Sequence, residues 1–418
     1  MSQSTPRRSA AWMLDQIIGE GRLLSELIGA GALDRLEPAD RARAQRLTLD
    51  VLRSMERADR VLQKHLRKPP PLSVQNVLRL GTLELCTGGD AHGIVNECVA
   101  IVGADKWTAA MKGLTNAVLR KVAATGTEHW DALRIPRLPK WLRGPMVEAW
   151  GPEAVLGMEA AQYAGAPLDL SAKTDAAAVA TAVGGDILPT GSVRLKDAGQ
   201  VTALAGFAEG DWWVQDAAAA LPALMLNAKA DEKVLDLCAA PGGKTMQLAA
   251  TGADVTALDI SPSRMARVEQ NLKRVGLNAT LITADALEHE GQYDAILLDA
   301  PCSATGTMRR HADLPYAKDG SEFGALIALQ EELIDHALTL LKPGGRLVFC
   351  TCSLLPDEGE VQIDEALERH AGLKVVEVSD LPGVDPEWRT AEGGIRLRPD
   401  YWPDLGGMDG FYMACLTR

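Results

Sequence analysis

Between residues 6 and 125 the apolar positions recur at intervals of three and four, as in "AAWMLDQIIGEGRLLSELI", "AQRLTLDVLRSMERADRVLQKHL" and "LTNAVLRKV". That period places one apolar stripe on each of a series of helices, and strand-like alternation is absent. In "RKPPPLSVQNVLRLG" the prolines end one helix and a second begins behind them, with Ser73 as its expected N-cap. Residues 1–125 are therefore expected to form an all-α domain. From 126 to 230 the pattern is mixed, with helical stretches such as "PKWLRGPMVEAWG" and "DAAAVATAVGG" between candidate strands at "DLSAK", "ILPTGSVRL" and "DWWVQD", which reads as a small α+β linker subdomain. From 231 to 418 short apolar runs alternate with helices: "KVLDLCAA", "DVTALDI", "ATLITADA", "YDAILLDAP" and "GRLVFCTCS". This rhythm predicts βαβ units in an α/β, Rossmann-like doubly wound sheet, whose ligands sit at the carboxyl ends of the strands.

A chain of 418 residues, 47% hydrophobic, exceeds what one core usually holds, in keeping with several domains. It has no run of about 18 apolar residues and no apolar leader segment, so a soluble, cytoplasmic protein without a membrane partner is expected. Seven scattered cysteines fit a reducing compartment. They show no paired C-x-x-C or Cys/His spacing, so no metal is expected. The net charge of -13 conceals a division, because residues 1–125 hold 18 Lys and Arg against 13 Asp and Glu while the remainder holds 25 against 43. A mildly basic head on an acidic body suits a phosphate-contacting module beside an enzyme, and equally a solvated helical surface.

Candidate chemistry lies at the strand ends. "DLCAAPGGKT", residues 236–245, reads as a strand end, a glycine turn and a helix start near Lys244, with neither dinucleotide nor phosphate-loop spacing. Asp259 closes the next strand, 23 residues after Asp236, where an acid commonly takes ribose hydroxyls. Asp285 closes the third and Asp299 the fourth. Each acid alone is an ordinary turn residue, but four at successive strand tips indicate a binding crevice. In "LVFCTCSLLP" a bridge between Cys350 and Cys352 would be strained, which leaves two core thiols or thiol chemistry. "RRHADLPY", residues 309–316, offers basic and aromatic groups for an RNA backbone or a displaced base, or else forms a plain polar loop.

The layout resembles class I S-adenosylmethionine-dependent methyltransferases. More specifically, "CAAPGGK", "DAPCSATGTMRRH" and "CTCSLLPDEGE" resemble motifs I, IV and VI of the NOL1/NOP2/Sun family of RNA cytosine-5 methyltransferases, and "LKPGG" and "MDGFYMACL" continue the likeness. Residues 1–125, with "NVLRLGTLEL", "AHGIVNECVAIV" and "KGLTNAVLRKV", are similar to the NusB-like RNA-binding domain on that family's Sun/RsmB branch. The resemblance implies S-adenosylmethionine as cofactor, held by Cys238, Ala239, Ala240, Pro241, Gly242, Gly243 and Lys244, with Asp259 on the ribose, Asp285 near the adenine, and Arg264 and Asp299 also lining the site. It implies Cys352 as nucleophile toward cytosine carbon 6, Cys302 assisting release, Asp299 stabilising the adduct and Lys244 facing the target. Cys350 matches no catalytic position and reads as a packed thiol. The implied partner is RNA, 16S rRNA ahead of transfer RNA, with the cytosine single-stranded or flipped out. A monomer is favoured.

Overall fold

The computed structural model describes residues 4–125, 128–196 and 198–418. The chain forms two compact units, one of Met1–Ala164 with Met308–Asp319 and one of Gly165–Thr307 with Gly320–Arg418. In this division residues 128–164 belong with the helical head, and the small sheet that begins at Leu168 belongs with the larger one. A physical reason lies at Arg57, which donates to the carbonyls of Trp130, Leu133 and Arg134 and to the Tyr163 hydroxyl, binding the stretch after residue 127 to the first unit.

The first unit is helical, as its periodicity predicts: Pro6–Glu20, Leu24–Gly29, Pro38–Gln63, Leu72–Cys86, Ala91–Ala104 and Lys112–Thr125 are its main helices before the stretch Lys140–Ala164. Thr5 caps the first by accepting from the Arg8 amide, and Pro6 supplies a first-turn φ already suited to helix. Leu14, Ile17, Leu52, Leu78 and Leu119 are fully buried in one core. Ser73 is not the N-cap expected of it: the helix starts at Leu72, with Pro71 in the cap position, because the proline already presets the entry.

The "RRHADLPY" stretch also departs from expectation. Arg309 is 1% exposed, and Ala312 to Pro315 are buried within the first unit. There Asp313 accepts from the Leu24 amide and the Pro315 carbonyl accepts from Trp141. Arg309 is therefore not on the surface to grip a backbone. Within 309–315 the exposed residues are Arg310 and His311.

The second unit holds two sheets. The smaller has strands β1 (Leu168–Ala172), β2 (Asp186–Ile187), β3 (Val193–Leu195) and β4 (Trp212–Val214) in the order β2-β3-β1-β4. All three candidate strand segments of the linker appear in it. A bidentate pair between Arg194 and Asp169, both N···O distances 2.6 Å, lies buried under this sheet. The guanidinium is also used by the Leu405 and Gly407 carbonyls, so the buried charge is paired on both edges.

The larger sheet contains β5 (Lys233–Leu237), β6 (Asp254–Asp259), β7 (Thr280–Thr283), β8 (Tyr293–Asp299), β9 (Leu341–Thr351), β10 (Lys374–Val375), β11 (Ile395–Leu397) and β12 (Phe411–Thr417). Its order is β10-β12-β9-β8-β5-β6-β7, with β11 also on β12. Strands β5 to β9 pair in parallel and β12 is antiparallel to β9. Alternation along β5 explains the layering: Val234 packs with the helix Ala217–Leu226, while Leu235 and Leu237 pack with the helices Phe323–Thr339 and Glu360–Arg369 on the other face. The chain order reverses between β5 and β8, the position at which such sheets open a ligand crevice.

Candidate active site

The turn after β5 shapes one half of the crevice. Cys238 has φ 62° and Gly242 φ 99°, both in the left-handed region, so the chain doubles back before the helix Gly243–Ala250. The Ala239 amide donates to the Leu258 carbonyl at 2.9 Å, tying the turn to β6. At the tip of β6, Asp259 is 2% exposed and accepts from the amides of Ala240 at 3.2 Å and Ser261 at 2.9 Å. Arg264 reaches the same carboxylate at 3.6 Å and donates to the Ala240 carbonyl, so turn and acid form one rigid piece. Cys238 lies in the field of Asp299, Asp259 and Asp236, and burial first, then those charges, push its thiol up to about 12.

Two expected crevice acids behave differently from the others. Asp285 lies two residues beyond β7, exposed, its carboxylate capping the turn Ala286–Glu288 through the Leu287 amide. Asp236 is not a tip ligand. It precedes the last residue of β5, is 0% exposed and accepts from the Thr245 hydroxyl at 2.6 Å, so it ties the turn's helix to the strand. Burial raises its carboxyl from 3.8 to about 7 against the lowering effect of Thr245. The folded state therefore holds this proton more tightly than the unfolded chain does. Its contribution to stability is complete below about pH 4 and is lost as pH rises through about 7. Asp236→Asn should flatten that part of the profile, which urea midpoints of parent and variant between pH 5 and 8 would show; parallel profiles would contradict it.

The reactive groups gather past the ends of β8 and β9. Register pairs Asp299 with Cys350, and the Cys350 thiol lies 3.5 Å from Asp299 Oδ1. Lys244, on the first turn after Gly242, donates to Asp299 Oδ2 at 2.8 Å, with Nζ 5.0 Å from the Phe411 ring centre. Lys244 is 8% exposed, so it is not a surface lysine. Burial alone would lower its pKa, but Asp299, Cys350 and Cys352 raise it overall, and it stays an ammonium. Cys350 is fully buried, the packed thiol expected of it, and burial raises its pKa well above 9.0. Cys352 follows the strand in a bend, and its Sγ stands 3.5 Å from that of Cys302. The hydrogen bond with Cys352, then burial, hold Cys302 protonated well above 9.0.

Two further features escaped sequence reasoning. A buried network of Ser303, Ser353, Thr305, Gln330 and Glu358 joins the loops that carry the two thiols. Its visible trace was the repeated Cys-Ser pair, at 302–303 and 352–353. Ile260, directly after Asp259, is 67% exposed, an apolar side chain offered at a strand tip where chance alone would favour a polar one.

Gly306 makes the close approach of the two loops possible. Its amide donates to the Cys352 carbonyl at 2.9 Å and its carbonyl accepts from the Gly410 amide at 2.8 Å. A Cβ there would lie 2.0 Å from the Gly410 oxygen and 2.9 Å from the Cys352 oxygen, both backbone atoms. Gly306→Ala is expected to cost on the order of 3 kcal/mol or more through overpacking. Denaturant midpoints of the full chain check this, and an unchanged midpoint would mean the loops yield freely.

Comparison with known proteins is consistent over both units. A family model described as 16S rRNA methyltransferase RsmB/F matches residues 223–417, and a NusB family model matches residues 4–124. The chain is 35% identical over 453 residues to Ribosomal RNA small subunit methyltransferase B of Pseudomonas syringae pv. tomato, covering 99% of this chain and 97% of that protein. Among solved structures, PH0851 aligns with a TM-score of 0.75 at 21% identity over 99% of both chains, a likeness of fold. A methyltransferase homolog protein from Pyrococcus horikoshii aligns at 0.55 and 26% identity, over 66% of this chain and 94% of that one.

Proposed function

Because the chain belongs to the RsmB/F family of 16S rRNA methyltransferases, we propose that it methylates carbon 5 of a cytosine in 16S rRNA through a covalent bond from Cys352 to carbon 6. It is an S-adenosylmethionine-dependent RNA methyltransferase, and what remains to be assigned is the atom modified and the residues that act. The observation that carries the proposal is the pair of thiols, 3.5 Å apart, beside the Lys244–Asp299 ion pair. Binding or dehydrogenation has no use for two facing thiols, whereas addition to and elimination from a pyrimidine ring uses both.

The residues present fit S-adenosylmethionine. The turn 238–242, left-handed at Cys238 and Gly242, leads into a helix start beside Asp259, which would take ribose hydroxyls, and exposed Ile260 offers an apolar face to an adenine. Ala239, Ala240, Pro241 and Gly243 complete that turn, Arg264 is bonded to it, and Asp285 stands exposed two residues beyond β7. When bound, S-adenosylmethionine supplies an electrophilic methyl group on its sulfonium.

Carbon 5 of cytosine is a weak nucleophile until a group adds at carbon 6. Cys352, partly buried beyond β9, is placed to add there as its thiolate once the base is unpaired. Asp299 accepts from the cytosine amino group while Lys244 holds its other oxygen, so the ring edge is fixed as charge moves into it. With Cys352 bonded to carbon 6, its hydrogen bond no longer holds the Cys302 proton, which passes to water; after methyl transfer the Cys302 thiolate takes the carbon 5 proton, the ring double bond reforms, and the Cys352–carbon 6 bond breaks, returning the electron pair to sulfur. The Lys244 ammonium, which interacts with Cys352, stabilises the departing thiolate.

The test is incubation of the protein with labelled S-adenosylmethionine and protein-free small-subunit RNA, with transfer RNA and DNA in parallel, then nucleoside analysis. Label as 5-methylcytosine in ribosomal RNA is the expected result. Label in another nucleoside overturns the chemistry, and label confined to transfer RNA or DNA overturns the substrate.

A further inference from the structure

We infer that Glu358 is a positioning residue that holds Cys302 over Cys352, and so governs release of the methylated RNA more than its methylation. This rests on the roles proposed above for the two thiols.

Glu358 sits at the end of the turn Pro356–Glu358 and is 0% exposed. A carboxylate so placed must be fully hydrogen-bonded to be tolerated. Its partners come from the loop after β8. Oε1 accepts from the Ser303 amide at 2.9 Å and from Gln330 at 3.1 Å, and Oε2 accepts from the Ser303 hydroxyl. Gln330 also donates to the Pro301 carbonyl at 2.8 Å, so Cys302 is gripped on both sides in sequence.

The second loop is tied to the same point. Ser353 Oγ lies 3.2 Å from Ser303 Oγ and 3.3 Å from Thr305 Oγ1, and it accepts from the Leu355 amide at 3.0 Å. The Glu358 carbonyl accepts from the Thr351 hydroxyl at 2.7 Å, on the residue before Cys352. Through its carboxylate to Ser303 and its backbone carbonyl to Thr351, Glu358 therefore reaches the neighbour of each thiol; among the described residues its hydrogen bonds go to neither sulfur nor the cofactor turn, although its charge acts on the Cys302 thiol. Cys352 is placed chiefly by β9, which ends at Thr351. Cys302 lies three residues beyond β8 and has no strand of its own to hold it. Loosening Glu358 should consequently displace Cys302 first.

Two variants separate positioning from folding. Glu358→Gln keeps the shape but turns one acceptor into a donor, forcing the Ser303 hydroxyl to reverse. Ser303→Ala leaves the carboxylate and its bond to the residue 303 amide intact while removing the bridge between the serines. Incubated as full chains with S-adenosylmethionine and the substrate RNA, both should accumulate a denaturant-resistant protein–RNA adduct and release product about 10- to 100-fold more slowly, the scale of a roughly 1 Å misplacement. Cofactor affinity should be unchanged. Cys302→Ala is the reference. If it traps adduct while the other two release product at the parental rate, Glu358 does not position Cys302. Should Cys302→Ala trap none, the release role itself fails and the inference with it. A general loss of activity without adduct in Ser303→Ala would make the network merely structural and would equally overturn the proposal.

Discussion

Cys352→Ala protein is expected to lose methyl transfer by at least about 10³-fold, the scale on which deletion of a covalent nucleophile acts. It should still bind S-adenosylmethionine with parental affinity. Both halves follow from position. Cys352 stands beyond the last residue of β9, with its sulfur toward Cys302, while the turn 238–242 and Asp259 are fixed by bonds to Leu258, Ala240 and Arg264. The hydrogen bonds that fix the turn 238–242 and Asp259 do not involve the Cys352 side chain. The Cys352 carbonyl bond to the Gly306 amide is left unaltered by alanine, although the side chain is partly buried against the core. Label transfer to RNA and equilibrium binding of the cofactor, measured on the same preparation, distinguish the cases. Retained turnover would remove Cys352 from the chemistry, and loss of cofactor binding would place the residue in the wrong half of the site.

Why the candidate groups were legible while their support was not is a matter of range. The glycine turn, the acid at the end of β6 and the two Cys-Ser pairs are short contiguous patterns, each set by local backbone demands, and the structure brings Cys302 to Cys352 and Lys244 to Asp299 across adjacent strands. The alternation that predicted the strands also predicted their burial, as the split of Val234 from Leu235 and Leu237 shows. Failures arose where a distant partner decides the outcome. Arg309 looks like a surface cation until Asp313 is seen to cap the chain at Leu24, nearly three hundred residues earlier. Asp236 looks like a crevice acid until Thr245 is seen to claim it inside the sheet. Glu358, in a polar run, looks like a solvated charge, and only the fold encloses it with Ser303 and Gln330. In each case composition describes the side chain correctly, and the error lies in where it points.

Replacing the other thiol should produce the opposite phenotype. Cys302→Ala protein is expected to carry the reaction through methyl transfer and stop, leaving about one RNA covalently bound per active molecule. Cys302 is kept as a thiol by its contact with Cys352 and by burial, so in the resting site it does not compete with the proposed nucleophile. Once the Cys352 sulfur is bonded to carbon 6 that interaction is spent, the Cys302 proton passes to water, and the Cys302 thiolate is the base for the carbon 5 proton. Alanine removes that group while leaving Ser303 and Glu358 to hold the loop. Methylation then proceeds once, the carbon 5 proton stays, and elimination of Cys352 stalls. Labelled RNA migrating with denatured protein would display the trapped species, and the Cys302→Ala/Cys352→Ala double variant should abolish it, identifying Cys352 as the bonded residue. Repeated turnover by Cys302→Ala without any adduct would show that water or another group takes the proton, and that the 3.5 Å approach of the two sulfurs serves the first step only.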